Sequence, residues 1–121
     1  MRIIILLFVL LLPAASYAAD SRDIMNKEIA HLLDYTQNSE CRFNRNGKWY
    51  TAEKAKEHIQ KKYDYLVKKG RIDSTEQFIE RAASKSSMSG KPYMITCDES
   101  KPVKSSVWFE KELLNFREKL K

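Results

Sequence analysis

Few side chains of this sequence have the types and spacing that catalysis requires. The two histidines, His31 and His58, lie far apart along the chain. A metal centre needs several His, Cys or carboxylate ligands at suitable spacing, so we expect no metal site. His58 could act as a general base if a serine hydroxyl came within about 3 Å of its ring. The histidines alone therefore predict no catalytic residue.

A stretch from Ser84 to Pro92 is rich in serine and lysine and invites two catalytic interpretations. A Ser-x-x-Lys nucleophile motif fails, because Ala82 and Met88 stand where its serine belongs. A phosphate-binding P-loop fails as well, because Lys85 replaces its first glycine. The loop's hydroxyl and ammonium groups could still hold an anion or a sugar, although a solvated connection is the simpler interpretation.

Aromatic rings on a predicted hairpin and off the apolar stripe of the predicted last helix could complete a binding surface. Trp49, Tyr50 and Trp108 are the rings most suited to contact a sugar or a protein, although burial in the core is the commoner role of such rings. We expect a non-catalytic binding or interaction module. Its candidate ligand-binding residues are Arg45, Asn46, Trp49, Ser87, Ser89 and Lys91.

Two other functions remain open at this point. One is a small hydrolase or transferase that uses His58 with a loop serine such as Ser87. The other is an envelope structural or stress protein whose basic face touches anionic lipid. The sequence predicts no cofactor, and it leaves the oligomeric state open.

The first 18 residues have the pattern of a cleavable signal peptide. Arg2 precedes an apolar run from Ile3 to Leu12, and small residues follow up to Ala18. The run is shorter than the roughly 20 residues that cross a bilayer as a helix. We expect cleavage between Ala18 and Ala19, which leaves one domain, 19–121, in the periplasm or outside the cell, with no transmembrane segment.

The charge balance is basic, with 22 Lys and Arg against 16 Asp and Glu. This excess permits binding to anionic lipid or glycan, but it serves solubility equally well. Basic and acidic residues alternate along the predicted second helix, which indicates a solvated face. Because export also argues against nucleic acid, the partner we expect is an unidentified envelope protein or glycan.

Cys41 and Cys97 are the only cysteines. In an oxidising compartment such a pair favours a disulfide over two free thiols. The close C-x-x-C spacing of redox-active pairs is missing, so we expect a structural bond.

Hydrophobic periodicity predicts the elements that carry these residues. A first helix, 22–37, is expected to bury one apolar face and to leave His31 opposite it. Asn46-Gly47 favours a tight hairpin turn. Thr51 can cap a second helix that ends near Gly70, and Ser74 with Gln77 forms a capping box for a third helix reaching about Ser84.

The rest of the chain predicts one more strand and one more helix. Tyr93, Ile95 and Cys97 alternate as in a strand, 101–105 reads as a loop, and a last helix begins near Ser106. Its apolar stripe is Phe109, Leu113, Phe116 and Leu120. The order α-β-β-α-α-β-α predicts an α+β domain, in which a small antiparallel sheet, the hairpin plus one later strand, packs with about four helices.

Several short motifs, taken together, resemble a known family. They are Phe43-x-Arg45-Asn46-Gly47, Ala55 with His58, Ile72-Asp73-Ser74-x-Glu76-Gln77-Phe78-Ile79, Ala83-Ser84, and Ser86-Ser87-x-Ser89-Gly90-Lys91-Pro92-Tyr93. The combination is similar to the YfeK-like family of small exported bacterial proteins, a domain of unknown function. The resemblance covers roughly residues 43 to 95 and implies a Gram-negative periplasmic setting. It implies no activity, ligand or catalytic residue, and the cysteine pair is not expected from it.

Overall fold

A computed structural model describes residues 3–5, 14–99 and 101–121, and of 14–19 it describes the backbone alone. The predicted leader, 1–18, lies largely outside the described residues, and its cleavage stays a prediction. The elements are α1 (Ala14–Asn38), β1 (Arg42–Arg45), β2 (Lys48–Tyr50), α2 (Ala52–Lys68), α3 (Thr75–Ala82), β3 (Met94–Thr96), β4 (Val103–Lys104) and α4 (Ser105–Lys119). The predicted α+β class and element order are confirmed, with β4 as an addition.

The first helix buries the face that its periodicity predicts. Met25, Ile29, Leu32, Leu33 and Thr36 are all buried, and most of them join the main core with α3 and α4. His31 is not simply solvated on the opposite side. Its ring stacks on Phe116 of α4 at 4.2 Å, and its Nε2 lies 2.7 Å from a Glu112 oxygen. The side of α1 that carries His31 is therefore partly covered by α4, which packs beside it.

The four-stranded antiparallel sheet has the order β2-β1-β3-β4. Asn46 and Gly47 join β1 to β2 with φ of 53° and 83°, the positive values that a tight hairpin turn needs. The two-residue strand β4 follows Pro102 and was expected to be loop. It is too short to show an alternating pattern, and its pairing with β3 comes from tertiary contact.

Capping follows the predicted residues. Thr51 Oγ1 accepts a hydrogen bond from Lys54 N–H, and Ser74 Oγ accepts one from Gln77 N–H. In a capping box the Gln77 side chain would accept from the N–H of Ser74. Here Gln77 Oε1 accepts from the N–H of Asp73, one residue earlier in the chain.

The last helix follows its predicted stripe only in part. Phe109 and Leu113 are buried, but Leu120 is 68% exposed because it lies beyond the last residue of α4. Trp108 is not a surface ring. It contacts Phe43 and Phe109 edge-on and packs against both core clusters. None of the described helices combines the length and the apolar character that crossing a membrane requires.

The predicted disulfide joins Cys41 and Cys97, whose Cα atoms lie 4.4 Å apart. Cys41 comes directly before β1 and Cys97 directly after β3, so the bond closes one end of the central strand pair. The other end of that pair leads to Arg45 and Tyr93. The bond therefore helps to hold in place two residues that face the cleft described below.

We predict that replacing both cysteines by alanine lowers the free energy of unfolding by about 4 kcal/mol, because the bond closes a long loop in the unfolded chain. The sequence separation is 56 residues. Urea unfolding of the oxidised protein and of the double variant measures the difference, and the reduced parent protein should match the variant. A loss below about 1 kcal/mol would contradict this account.

Candidate functional site

A concave surface lies where α2 faces the β1–β2 hairpin and the loop before β3. Two cavities open there, of about 260 Å³ and about 670 Å³. We call the smaller one the inner cavity and the larger one the outer cavity, and together the basic cleft. Both are lined by Arg45, Tyr50, His58, Lys61 and Tyr93.

The sheet register supplies one wall of the basic cleft. Phe43 pairs with Tyr50 and Arg45 with Lys48, so alternation along the strands places these four side chains on one face. The β1–β3 register pairs Phe43 with Ile95, and extending it by two residues sets Arg45 opposite Tyr93. Arg45 also lies over the Tyr50 ring, with its guanidinium carbon 4.7 Å from the ring centroid.

Helix α2 supplies the opposite wall. Ala55 and Ile59 line the inner cavity and are buried, while His58 and Lys62 are half-buried one turn apart. Residues three and four apart lie on the same side of a helix, so the basic and apolar groups of α2 reach the cleft together.

A hydrogen-bond chain crosses the cleft from α2 to the start of β3. Lys62 Nζ donates to Tyr93 Oη at 3.3 Å and to the Lys85 carbonyl oxygen at 2.6 Å. Tyr93 Oη lies 3.1 Å from His58 Nε2. A phenol oxygen can accept from two donors, so either the Tyr93 hydroxyl or a protonated His58 Nε2 donates in this contact, depending on the imidazole tautomer.

The pKa values in the cleft are shifted by burial and by mutual repulsion among cations. Burial lowers the pKa of His58 to about 4, and the charges of Arg45, Lys62 and Lys61 add to this effect. Burial, with Arg45 and Lys85, also lowers the pKa of Lys62. Burial raises the pKa of the Tyr93 hydroxyl. His58 is thus a neutral ring within a positively charged surface at physiological pH.

Four of the five cations that line the cleft have no ion pair among the described residues. Within the cleft lining the described ion pair is the exposed contact of Lys54 with Glu57, at 3.6 Å. Four other cations line the cleft without an ion pair in the described part of the chain: Arg45, Lys48, Lys61 and Lys62.

Two acids, Glu28 and Glu76, are engaged at the helical end of the protein. Arg117 donates to both carboxylate oxygens of buried Glu28 and to Glu76. Thr75 also donates to Glu28 at 2.7 Å. Neither of these carboxylates lines the cleft.

Asn46 and Ser89, two of the predicted ligand-binding residues, bind each other. Ser89 Oγ donates to Asn46 Oδ1 at 2.6 Å, and Asn46 Nδ2 donates to the buried Ser86 Oγ at 3.3 Å. Ser86 Oγ also accepts from the Ser89 N–H. Both atoms of the Asn46 amide are thus used to fix the loop against the hairpin turn.

The other predicted residues lie in different places. Arg45 and Ser87 line the cleft together with Asn46, whereas Lys91 is exposed and lines neither cavity. Trp49 is 36% exposed and pairs with Asn44, so its side chain stands on the sheet face opposite Arg45.

Sequence reasoning missed Lys61, Lys62 and Tyr93 as site residues. The spacing of His58, Lys61 and Lys62 on one side of a helix was a usable signal, but the interleaved acids suggested a solvated face. In the part of the chain that the structure describes, no three His, Cys, Asp or Glu side chains converge as a metal site would require.

Comparisons with known proteins identify relatives without an assigned activity. Residues 23–117 match a family described as "Family of unknown function (DUF5329)". The "Uncharacterized protein YfeK" of Salmonella typhimurium is 41% identical over 64 residues, which cover 53% of this chain and 52% of that protein. The chain thus spans about half the length of this relative. No solved structure matches the chain.

The lowered pKa of His58 predicts a pH-dependent stability. The unfolded chain binds a proton at His58 near pH 6.5 but the folded protein only near pH 4. The contribution of this ring is therefore fully present above about pH 6.5 and is lost as the pH falls towards 4. Between about pH 7 and 5, where carboxyl groups titrate little, the parent protein should lose more stability than His58→Gln.

Urea unfolding of both proteins at the two pH values measures this difference. A parallel decline in parent and His58→Gln would show that His58 does not titrate in this way.

Proposed function

The chain belongs to the DUF5329 family of unknown function, with a YfeK-like protein among its relatives, and we propose that it is an exported, non-catalytic module that binds a small anion in the basic cleft. The observation that supports this most strongly is the group of four cleft cations without an ion pair in the described chain. Like charges held close together repel, and a bound anion removes that repulsion.

The concave shape strengthens this interpretation over general surface charge. Lys62 is half-buried and held by Lys85 and Tyr93, so its ammonium group is already positioned before a ligand arrives. Positioned donors in a partly desolvated cleft bind an anion more strongly than mobile surface lysines do, because less side-chain entropy is lost.

The hydrolase alternative has weaker support. His58 and Ser87 line the same outer cavity, but the described hydrogen bond of the His58 ring is to Tyr93. A base with a pKa near 4 is also poorly matched to proton abstraction at neutral pH. The envelope structural alternative, in which the basic face touches anionic lipid, rests on charge alone.

Export is part of the proposal and is supported by two independent features. The leader pattern of 1–18 has the charge, apolar run and small residues of a signal peptide. The Cys41–Cys97 bond fits an oxidising compartment such as the periplasm.

Anion binding is testable with inorganic phosphate. We expect isothermal titration to show saturable binding to the parent protein, and Lys62→Gln to weaken it about tenfold or more through loss of a charge-assisted hydrogen bond. Lys68→Gln removes the same charge from an exposed position of α2 that lines neither cavity. It should bind phosphate as the parent does.

An equal loss of phosphate affinity in Lys62→Gln and Lys68→Gln would mean that the affinity depends only on the net charge of the protein. Absence of saturable binding to the parent would overturn the proposal. Arg45→Gln serves as a second cleft variant, and thermal unfolding shows whether each variant is folded.

Export is testable through the amino terminus of the chain recovered from the cell envelope. Mass spectrometry should find Ala19 as the first residue. Ala18→Tyr should block processing, because the peptidase needs a small side chain there, while Tyr17→Phe should not. An intact leader on the recovered parent chain would contradict export by cleavage.

A further inference from the structure

We infer that the anion bound by the basic cleft is amphipathic: a phosphate monoester whose short apolar group enters the inner cavity while its phosphate meets the cations of the outer cavity. This inference rests on the proposed anion binding and goes further by assigning a ligand class. The observations that carry it are the buried apolar wall of the inner cavity, the cations of the outer cavity, and the lining residues that the two cavities share.

The inner cavity has an apolar wall towards the core. Phe43, Ala55 and Ile59 line it and are each less than a tenth exposed. Its lining continues outward to exposed or half-buried charged groups, which are Arg45, Lys61 and the paired Lys54 and Glu57. An extended ligand would therefore meet hydrocarbon at one end and positive charge at the other.

The polar atoms on the deep side of this cavity are already satisfied. Ser105 Oγ donates to the Ala83 carbonyl oxygen at 2.6 Å, and Ser105 N–H donates to the Tyr93 carbonyl oxygen at 2.9 Å. The Tyr93 hydroxyl is engaged with Lys62 and His58. A polar group placed against this wall would lose its hydration without gaining partners there, so an apolar group fits best.

The size of the inner cavity limits that apolar group. Its volume is about 260 Å³. This equals the space of roughly nine liquid water molecules at about 30 Å³ each. A short alkyl chain or a single aromatic ring fits this volume, whereas the acyl chain of a bilayer lipid exceeds it.

The outer cavity favours a phosphate head over a singly charged one. Arg45, Lys48, Lys61 and Lys62 line it, and no carboxylate is among its lining residues. A phosphate monoester carries about −1.5 to −2 charges at neutral pH and three acceptor oxygens, so it neutralises more of this charge than a carboxylate does. An uncharged apolar ligand would leave all four cations unneutralised.

The test is a ligand series measured by isothermal titration on the purified protein: inorganic phosphate, methyl phosphate, hexyl phosphate, hexanoate and hexanol. Each buried methylene should tighten binding, so hexyl phosphate is expected to bind about tenfold or more tighter than methyl phosphate. Hexanoate and hexanol should bind more weakly than hexyl phosphate.

A matched pair of variants locates the apolar group. Ala55 and Ala52 belong to the same helix and core cluster, but only Ala55 is among the cavity-lining residues. Ala55→Leu fills the inner cavity and should remove the preference for hexyl over methyl phosphate. Ala52→Leu adds the same bulk elsewhere and should keep that preference.

The outcomes separate this inference from the proposed function. Equal affinities for methyl and hexyl phosphate, with phosphate still bound, would overturn the amphipathic ligand and leave anion binding intact. Hexanoate binding as tightly as hexyl phosphate would overturn the phosphate head. Loss of binding to every anion would overturn both. The ligand titrations on the parent protein distinguish these outcomes even if Ala55→Leu fails to fold.

Discussion

The pairing of β1 with β3 is the constraint on which the rest of this structure depends. The Cys41–Cys97 bond closes one end of the pair, and Phe43 and Ile95, both buried, face each other across it. The same register brings Arg45 opposite Tyr93 at the other end. A one-residue slip would turn Phe43 outward and remove Arg45 from the cleft, so core packing and site geometry are specified together.

Carboxylates and cations are separated within the fold, and this separation affects both the stability of the protein and its binding of anions. Glu28 and Glu76 share Arg117 at the helical end, where they join α1, α3 and α4. The cleft is left with cations that repel one another, which destabilises the empty protein there and favours a bound anion. The Asn46 amide, bonded to Ser86 and Ser89, holds the loop that borders this charged surface.

Much of the fold could be predicted from the sequence because local signals agreed with tertiary packing. Three features could be predicted from neighbouring residues: the Asn46-Gly47 turn and the helix caps at Thr51 and Ser74. The cysteine pair could be predicted to form a disulfide from the oxidising compartment. The two-residue β4 and the contact of His31 with Phe116 could not be predicted, since both arise from elements packing across the domain. Leu120 fitted a periodic stripe, but the helix ends before it could be buried.

The candidate site was predicted less well, for a physical reason. Arg45, Asn46 and Ser87 were identified from a turn and a loop and line the cleft, whereas Trp49 stands on the far side of the sheet. Lys62 looked like one more solvated lysine, because only tertiary structure shows that Tyr93 and Lys85 receive its hydrogen bonds. Such convergence of distant segments leaves no periodic trace in the sequence.

The most direct test of the account is an NMR titration of the His58 ring, with and without saturating phosphate. The free protein should show a His58 pKa of about 4, depressed by burial and by Arg45, Lys62 and Lys61. A phosphate bound among those cations should raise this pKa clearly. His31 lines neither cavity, so adding phosphate at a fixed pH should not shift its ring signals. A His58 pKa that does not move at saturating phosphate would contradict anion binding in the cleft.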